Sequence, residues 1–212
     1  MRSQEEKFRT LLLATHNQAK LEELKIGIKP LIKKGVKIVT LSDLNIKQNP
    51  KETGKNFEEN AKLKAKFYGD LTGYPTIADD GGLIIHYLNN EPGVKSKRWL
   101  GYEASDEELI AHTLKRLKGL SKQKRLAYLQ TCLCFYNPST RIYLCRQEKI
   151  KGYIAQKPSG KATDGYPFRA LFIVDKYNKY YDELTEEEHL QINHRLKALR
   201  RLIDKLFDIS II

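Results

Sequence analysis

No stretch of the 212 residues approaches the roughly 18 to 20 consecutive apolar side chains needed to cross a bilayer. The longest apolar run near the N-terminus, Leu11 to Ala14, is too short even for the core of a secretory signal. A cytoplasmic protein that makes no use of the membrane is therefore expected. Cysteine is scarce as well: Cys132, Cys134 and Cys145 provide no second C-x-x-C and no histidine pair, and their number is odd. They are expected to be buried thiols, neither zinc ligands nor a disulfide framework. With 13 Gly and 7 Pro, the collagen-like and low-complexity classes are excluded. Acidic residues are absent from Leu109 to Gln147, where Lys115, Arg116, Lys118, Lys122, Lys124, Arg125, Arg141 and Arg146 accumulate.

What remains is 41% hydrophobic and 30% charged, with a formal charge of +12. That composition suits one packed domain over residues 1–212, and its positive balance suits nucleic acid or a phosphorylated substrate equally well. Arg9 to Ala14 reads as a strand that Thr15-His16-Asn17 interrupts, ahead of a helix with Leu21, Leu24 and Ile28 on one face and Asn17 as its N-cap. Val36 to Leu41 predicts a second strand. Asn56 opens a helix carrying Phe57, Ala61, Ala65 and Tyr68, which Gly73 and Pro75 end. Thr76 to Ala78 predicts a brief strand running into Asp79-Asp80-Gly81-Gly82, with strand character resuming at Leu83. Ser105 and Glu108 open a further helix, Arg125 to Tyr136 and Arg141 to Ile154 predict a hairpin, and Ala170 to Val174 a last strand. Leu184 to Phe207 reads as one long closing helix. The mixture predicts an α/β unit, with two lobes around a cleft.

Four segments carry candidate chemistry. A strand, Thr15-His16-Asn17 and a helix bearing Lys20 in its first turn present backbone N–H groups, a positive helix end and an ammonium to an anion, although the glycines of a Walker loop are missing. An ordinary capped helix accounts for the same residues equally well. Asp79 and Asp80 repel one another, and a divalent cation held with a third acid such as Glu52 would relieve that repulsion. An acidic turn is the plainer alternative. Asn60 and Lys64, one turn apart beside the apolar stripe of their helix, have the spacing to point together into a cleft. Arg98 and Trp99 add a cation and an aromatic ring.

Taken together, Leu13 to Glu23, Glu52 to Ala61 with Lys64-Ala65, Ala78 to Leu83, Pro92 to Arg98 and the closing Asn193-His194-Arg195 closely resemble the Ham1/inosine triphosphatase family, in order and spacing across nearly the whole chain. The resemblance implies an elongated mixed sheet with flanking helices, two lobes around a central nucleotide-binding cleft, and a homodimer. It further implies Mg²⁺-dependent hydrolysis of non-canonical purine nucleoside triphosphates such as ITP, dITP and XTP to the monophosphate and pyrophosphate. On that resemblance Thr15, His16, Asn17 and Lys20 grip the triphosphate, and Asn60, Lys64, Gly81 and Arg98 complete the substrate site. Glu52 and Asp80 hold metal, Asp80 or Asp79 activates water, and Tyr166, His189, His194 and Arg195 meet the base.

Departures from the family pattern are concentrated at the base. Gly81 stands where the family has serine, Thr163-Asp164-Gly165-Tyr166-Pro167-Phe168 replaces Gly-Phe-Gly-Tyr-Asp-Pro, and His189 and Asn193 replace a lysine and a serine. Base discrimination rests on hydrogen bonds that reject the wrong exocyclic group, so altered selectivity is expected alongside retained hydrolysis. Two other classes stay open: a nucleotide sensor without turnover, and a nucleic-acid binder using Lys115 to Arg125. The latter is disfavoured because only Tyr128 lies near that run in sequence.

Overall fold

The computed structural model describes residues 10–161 and 165–208. Its strands are β1 (Thr10–Ala14), β2 (Lys37–Thr40), β3 (Thr76–Ile85), β4 (Glu91–Pro92), β5 (Leu126–Asn137), β6 (Ile142–Ile154), β7 (Phe172–Val174) and β8 (Lys179–Tyr180). They form a mixed sheet in the order β2-β1-β3-β5-β6-β7-β8, with β4 paired to β3. β1 runs parallel to both β2 and β3, whereas β6, β7 and β8 follow one another antiparallel. The helices are α1 (Gln18–Gly27), α2 (Lys29–Lys33), α3 (Phe57–Thr72), α4 (Asp106–Arg116), α5 (Glu186–Ile192) and α6 (His194–Asp208). By its contacts the chain divides into two compact units, Met1–Asp80 with Thr131–Glu148 and Arg195–Ile212, and Gly81–Gln130 with Lys149–His194.

The first unit is built on β1, whose five residues are all buried between parallel neighbours. Asn17 caps α1 by accepting from the Lys20 amide at 3.0 Å. Leu21 and Leu24 of α1 then share a core with Leu11, Leu13 and Ile77 and with Leu199, Leu202, Ile203 and Leu206 of α6. Gly27 sits where a Cβ would come within 2.7 Å of Leu199 Cδ2, so its lack of a side chain lets α1 and α6 approach. α3 starts at Asn56, which accepts from the Glu59 amide at 2.9 Å, and stops at Gly73 in the left-handed region.

The second unit packs Leu83, Ala127, Leu129, Ile150, Ile154 and Phe172 against Leu109 and Leu117. Ser105 and Glu108 close a capping box on α4. Arg125 departs from its neighbours in the basic run. Its guanidinium is buried and donates to the carbonyls of Ile154 at 2.6 Å, Leu117 at 2.7 Å and Ala155.

Three sequence expectations are corrected. Asp79-Asp80-Gly81-Gly82 is not a turn but the middle of one ten-residue strand, β3, because Thr76 to Asp80 are all buried and the glycines pair as extended backbone. The closing helix is two helices broken at Asn193, whose φ of −52° and ψ of 107° leave the helical region. α2 and β8 were not foreseen. Cys134 and Cys145 form a disulfide, with their Cα atoms 4.1 Å apart on neighbouring strands, and only Cys132 remains a buried thiol. Sheet pairing brings the two cysteines together, and pairing is not readable from their spacing.

Candidate active site

β3 carries Asp79 and Asp80 at successive positions, and successive side chains of a strand project to opposite faces. That alternation sets the two carboxylates apart. Asp79 is 1% exposed, and its Oδ2 takes Lys20 Nζ at 3.0 Å and Arg195 Nε at 3.2 Å. Arg195 Nη1 also pairs with Glu23, one turn along α1 from Lys20. Asp80 accepts from Asn60 Nδ2 at 3.0 Å on one oxygen and from Lys64 Nζ at 3.3 Å on the other. Lys64 Nζ further reaches Glu52 Oε1 at 2.7 Å and the Asp79 carbonyl at 3.0 Å. Three cations and four carboxylates thus meet within the first unit.

The two acids are pushed in opposite directions. Burial raises the Asp79 carboxyl, but Lys20 and Arg195 outweigh it and hold the group well below the usual carboxylate range. Burial also raises Asp80, and there it prevails over Lys64 and Lys20, so Asp80 stands above its ordinary value. Lys20 is lowered, by burial before anything else. Burial acts downward on Lys64 too, yet Asp80, Asp79 and Glu52 together leave it raised. Adjacent carboxylates with separated proton affinities are the pattern of a site in which one acid stays charged and the other exchanges a proton.

The remaining expected residues fall in both units. In the first, Thr15 Oγ1 accepts from the Asn17 amide at 3.2 Å, and exposed His16 lies 3.3 Å from the Gln48 carbonyl. Asn60, 1% exposed, is engaged at both ends, since its Oδ1 accepts from the Gly54 amide at 2.8 Å. In the second unit stand Gly81, exposed Arg98, Tyr166, His189 and His194. The guanidinium of Arg169 lies 3.6 Å over the Tyr166 ring, and His189 Nε2 is 2.8 Å from the Tyr181 hydroxyl. Thr163 and Asp164, expected in the base loop, lie outside the described residues.

Sequence reasoning gave no role to Glu23, Gly54 or Thr131. Glu23 had a signal, since it is three residues from Lys20 on the side of α1 that carries Leu24. Gly54 matters because a Cβ there would come 2.6 Å from Asn60 Oδ1. Thr131, whose hydroxyl is 3.3 Å from the Asp80 carbonyl across 51 residues of sequence, had none.

Asp79 Oδ1 is buried without a hydrogen-bond partner, and with Glu52 and Asp80 it belongs to a set of hard oxygen donors of the kind that Mg²⁺ prefers. These residues fit a divalent cation in kind. Lys64 bridges Glu52 and Asp80.

A mixed α/β sheet with flanking helices, carrying a buried cluster of acids and lysines beside a capped helix start, defines a phosphate-handling class of protein. The chain belongs to the Ham1 family, whose model matches residues 11–205. It is 38% identical over 192 residues to the dITP/XTP pyrophosphatase of Thermoanaerobacter pseudethanolicus, covering 91% of this chain and 93% of that one. To the dITP/XTP pyrophosphatase of Bacillus subtilis it is 35% identical over 191 residues, with 90% and 93% covered. The structure of a HAM1 protein from Coxiella burnetii superposes with a TM-score of 0.82 at 31% identity, over 94% of this chain and 98% of that one. Among the described residues no helix is long and apolar enough to cross a membrane.

Proposed function

We propose that this protein is a nucleoside-triphosphate pyrophosphatase that hydrolyses ITP, dITP, XTP and related non-canonical purine nucleotides to the monophosphate and pyrophosphate. The observation that carries the reading is the divergence of Asp79 and Asp80: one carboxylate is pinned by Lys20 and Arg195, and the other is raised and held by Asn60 and Lys64. The relatives named for dITP and XTP supply the substrate class.

In the reaction, a water oxygen bonds to the α-phosphorus while the bond from that phosphorus to the bridging oxygen breaks, and pyrophosphate leaves with the electron pair. Asp80 takes the proton of the attacking water, as its raised affinity suits it to do. Lys20, Lys64 and the start of α1 take up charge on the tail and the leaving group, so that catalysis is chiefly positioning and electrostatics. Asn60, tied to the Gly54 amide, keeps Asp80 in orientation. A divalent cation, on this reading Mg²⁺, would be held by Glu52 and Asp80, and would supply charge neutralisation at the phosphate oxygens.

Selectivity on this reading combines a kept residue with a changed one. Tyr166, which falls on the family's tyrosine, has Arg169 against its face, and His189, beside Tyr181, stands where the family has a lysine. His194 and Arg195 remain base contacts on this reading. Homodimer assembly and cytoplasmic residence complete the proposal.

Pyrophosphate release measured over a panel of ITP, dITP, XTP, ATP and GTP, with and without Mg²⁺, tests the reading. Metal-dependent release, fastest with ITP, dITP or XTP, is expected. Binding of those nucleotides without any release would establish a sensor instead.

A further inference from the structure

One face of the second unit has no part in the proposed chemistry. β5 alternates half-buried Tyr128 and Gln130 with buried Ala127 and Leu129, and β6 alternates exposed Lys149 and Lys151 and half-buried Tyr153 with buried Ile150, Gly152 and Ile154. The buried set packs into the core of the unit, so the other set forms an outward sheet face. Structure then adds what sequence separated. Lys149 Nζ lies 4.4 Å over the Tyr128 ring, with the His86 ring 5.2 Å from the same tyrosine. The helical turn 123–125 and its flank bring Lys122 to 4.1 Å over Tyr153 and Lys124 to 5.4 Å over Tyr87, which is 48% exposed. Only Tyr128 lies close to the basic run in sequence, whereas in space three tyrosines each carry a lysine over the ring. Asp175 supplies an acid by pairing with Lys151 at 3.1 Å, and the Tyr153 hydroxyl donates to Asn178.

We infer that this face binds a single-stranded polynucleotide. Each ring gives a base a surface to stack on when the base displaces the lysine laid over it, and the displaced lysines meet the phosphates, the combination that single-strand binders use without reading sequence. The face suits a second copy of this chain poorly, because self-pairing would bring lysine against lysine. The tyrosines argue for unpaired bases over a duplex, whose rings are already stacked.

Fluorescence anisotropy of labelled twelve-nucleotide oligo(dT), oligo(rU) and a twelve-base-pair duplex, titrated with the full chain between 50 and 200 mM salt, tests the inference. Binding of either single strand more tightly than the duplex is expected. The triple variant Lys122→Ala/Lys124→Ala/Lys149→Ala should weaken it at least tenfold and lower the slope of log affinity against log salt by about 2, at roughly 0.7 per phosphate contact. Tyr128→Ala/Tyr153→Ala should weaken it with little change in slope. Pyrophosphate release should be the same in all three proteins, so the outcome is independent of the proposed activity. The inference is overturned by no binding at 50 mM salt, by unchanged affinity in both variants, by tighter binding of the duplex, or by variants whose only change is loss of self-association in sedimentation.

Discussion

Asp79 is 1% exposed and would be untenable as an isolated charge, since an unpaired buried carboxylate costs several kcal/mol. Lys20 and Arg195 make it tenable, and the same pairing leaves it a poor base. Asp80 has a softer environment, with an amide on one oxygen and a shared ammonium on the other. Cys132 shows what burial does without such pairing: its thiol is pushed up to about 12. The raised value favours the neutral thiol throughout the physiological range, so thiolate appears only as pH nears that value. Alkylation of the native protein by iodoacetamide at pH 8 should therefore run about three orders of magnitude slower than that of a free thiol, and unfolding should restore the ordinary rate. Rapid labelling of Cys132 in the native state would contradict the packing around β5. Glu52, Asp79, Asp80, Lys20 and Lys64 were singled out in sequence, whereas Glu23 was not and Arg195 was expected at the base, not beside Asp79. Their pairings were not, because hydrogen bonds across 116 residues, such as Arg195 to Asp79, leave no local periodicity.

At the scale of elements, β1, α1, α3, α4 and the β5–β6 hairpin follow from apolar spacing and caps. The misreading of β3 arose because tertiary burial overrode local punctuation. Two glycines after two acids look like a turn, yet β3 continues through them. The apolar residues Ile192, Leu196, Leu199, Ile203 and Leu206, at spacings of 4, 3, 4 and 3, look like one uninterrupted helix, yet Asn193 breaks it one residue before His194-Arg195. The break starts α6 immediately ahead of the arginine that pins Asp79. α6 then seals the first core through Leu199, which is fully buried and meets Gly27. Leu199→Ala should cost about 2–5 kcal/mol, read as a lowered midpoint in chemical denaturation. A loss below about 1 kcal/mol would mean that α6 is not the lid of that core.

For the molecule as a whole, the formal charge of +12 coexists with a site holding four carboxylates and three cations, so the positive balance comes from outside the chemistry. A ligand bound only by the folded state stabilises all of it. A non-hydrolysable ITP analogue with Mg²⁺ at about 100 times its Kd should add about 2.7 kcal/mol, raising the thermal midpoint by about 5–10 °C for a chain of this size. An equal shift with Mg²⁺ omitted would argue against the metal's part in binding. The charge excess was plain in sequence, but its partition was hidden, because only the fold separates Arg125, buried under carbonyls, from lysines laid over tyrosine rings. The most direct test of the account is kcat for pyrophosphate release from dITP by Asp80→Asn, alongside its circular dichroism and thermal midpoint. The account predicts a fall of about 10² to 10⁴ with the fold unchanged; turnover within a few-fold of the unaltered protein would show that Asp80 is not the base.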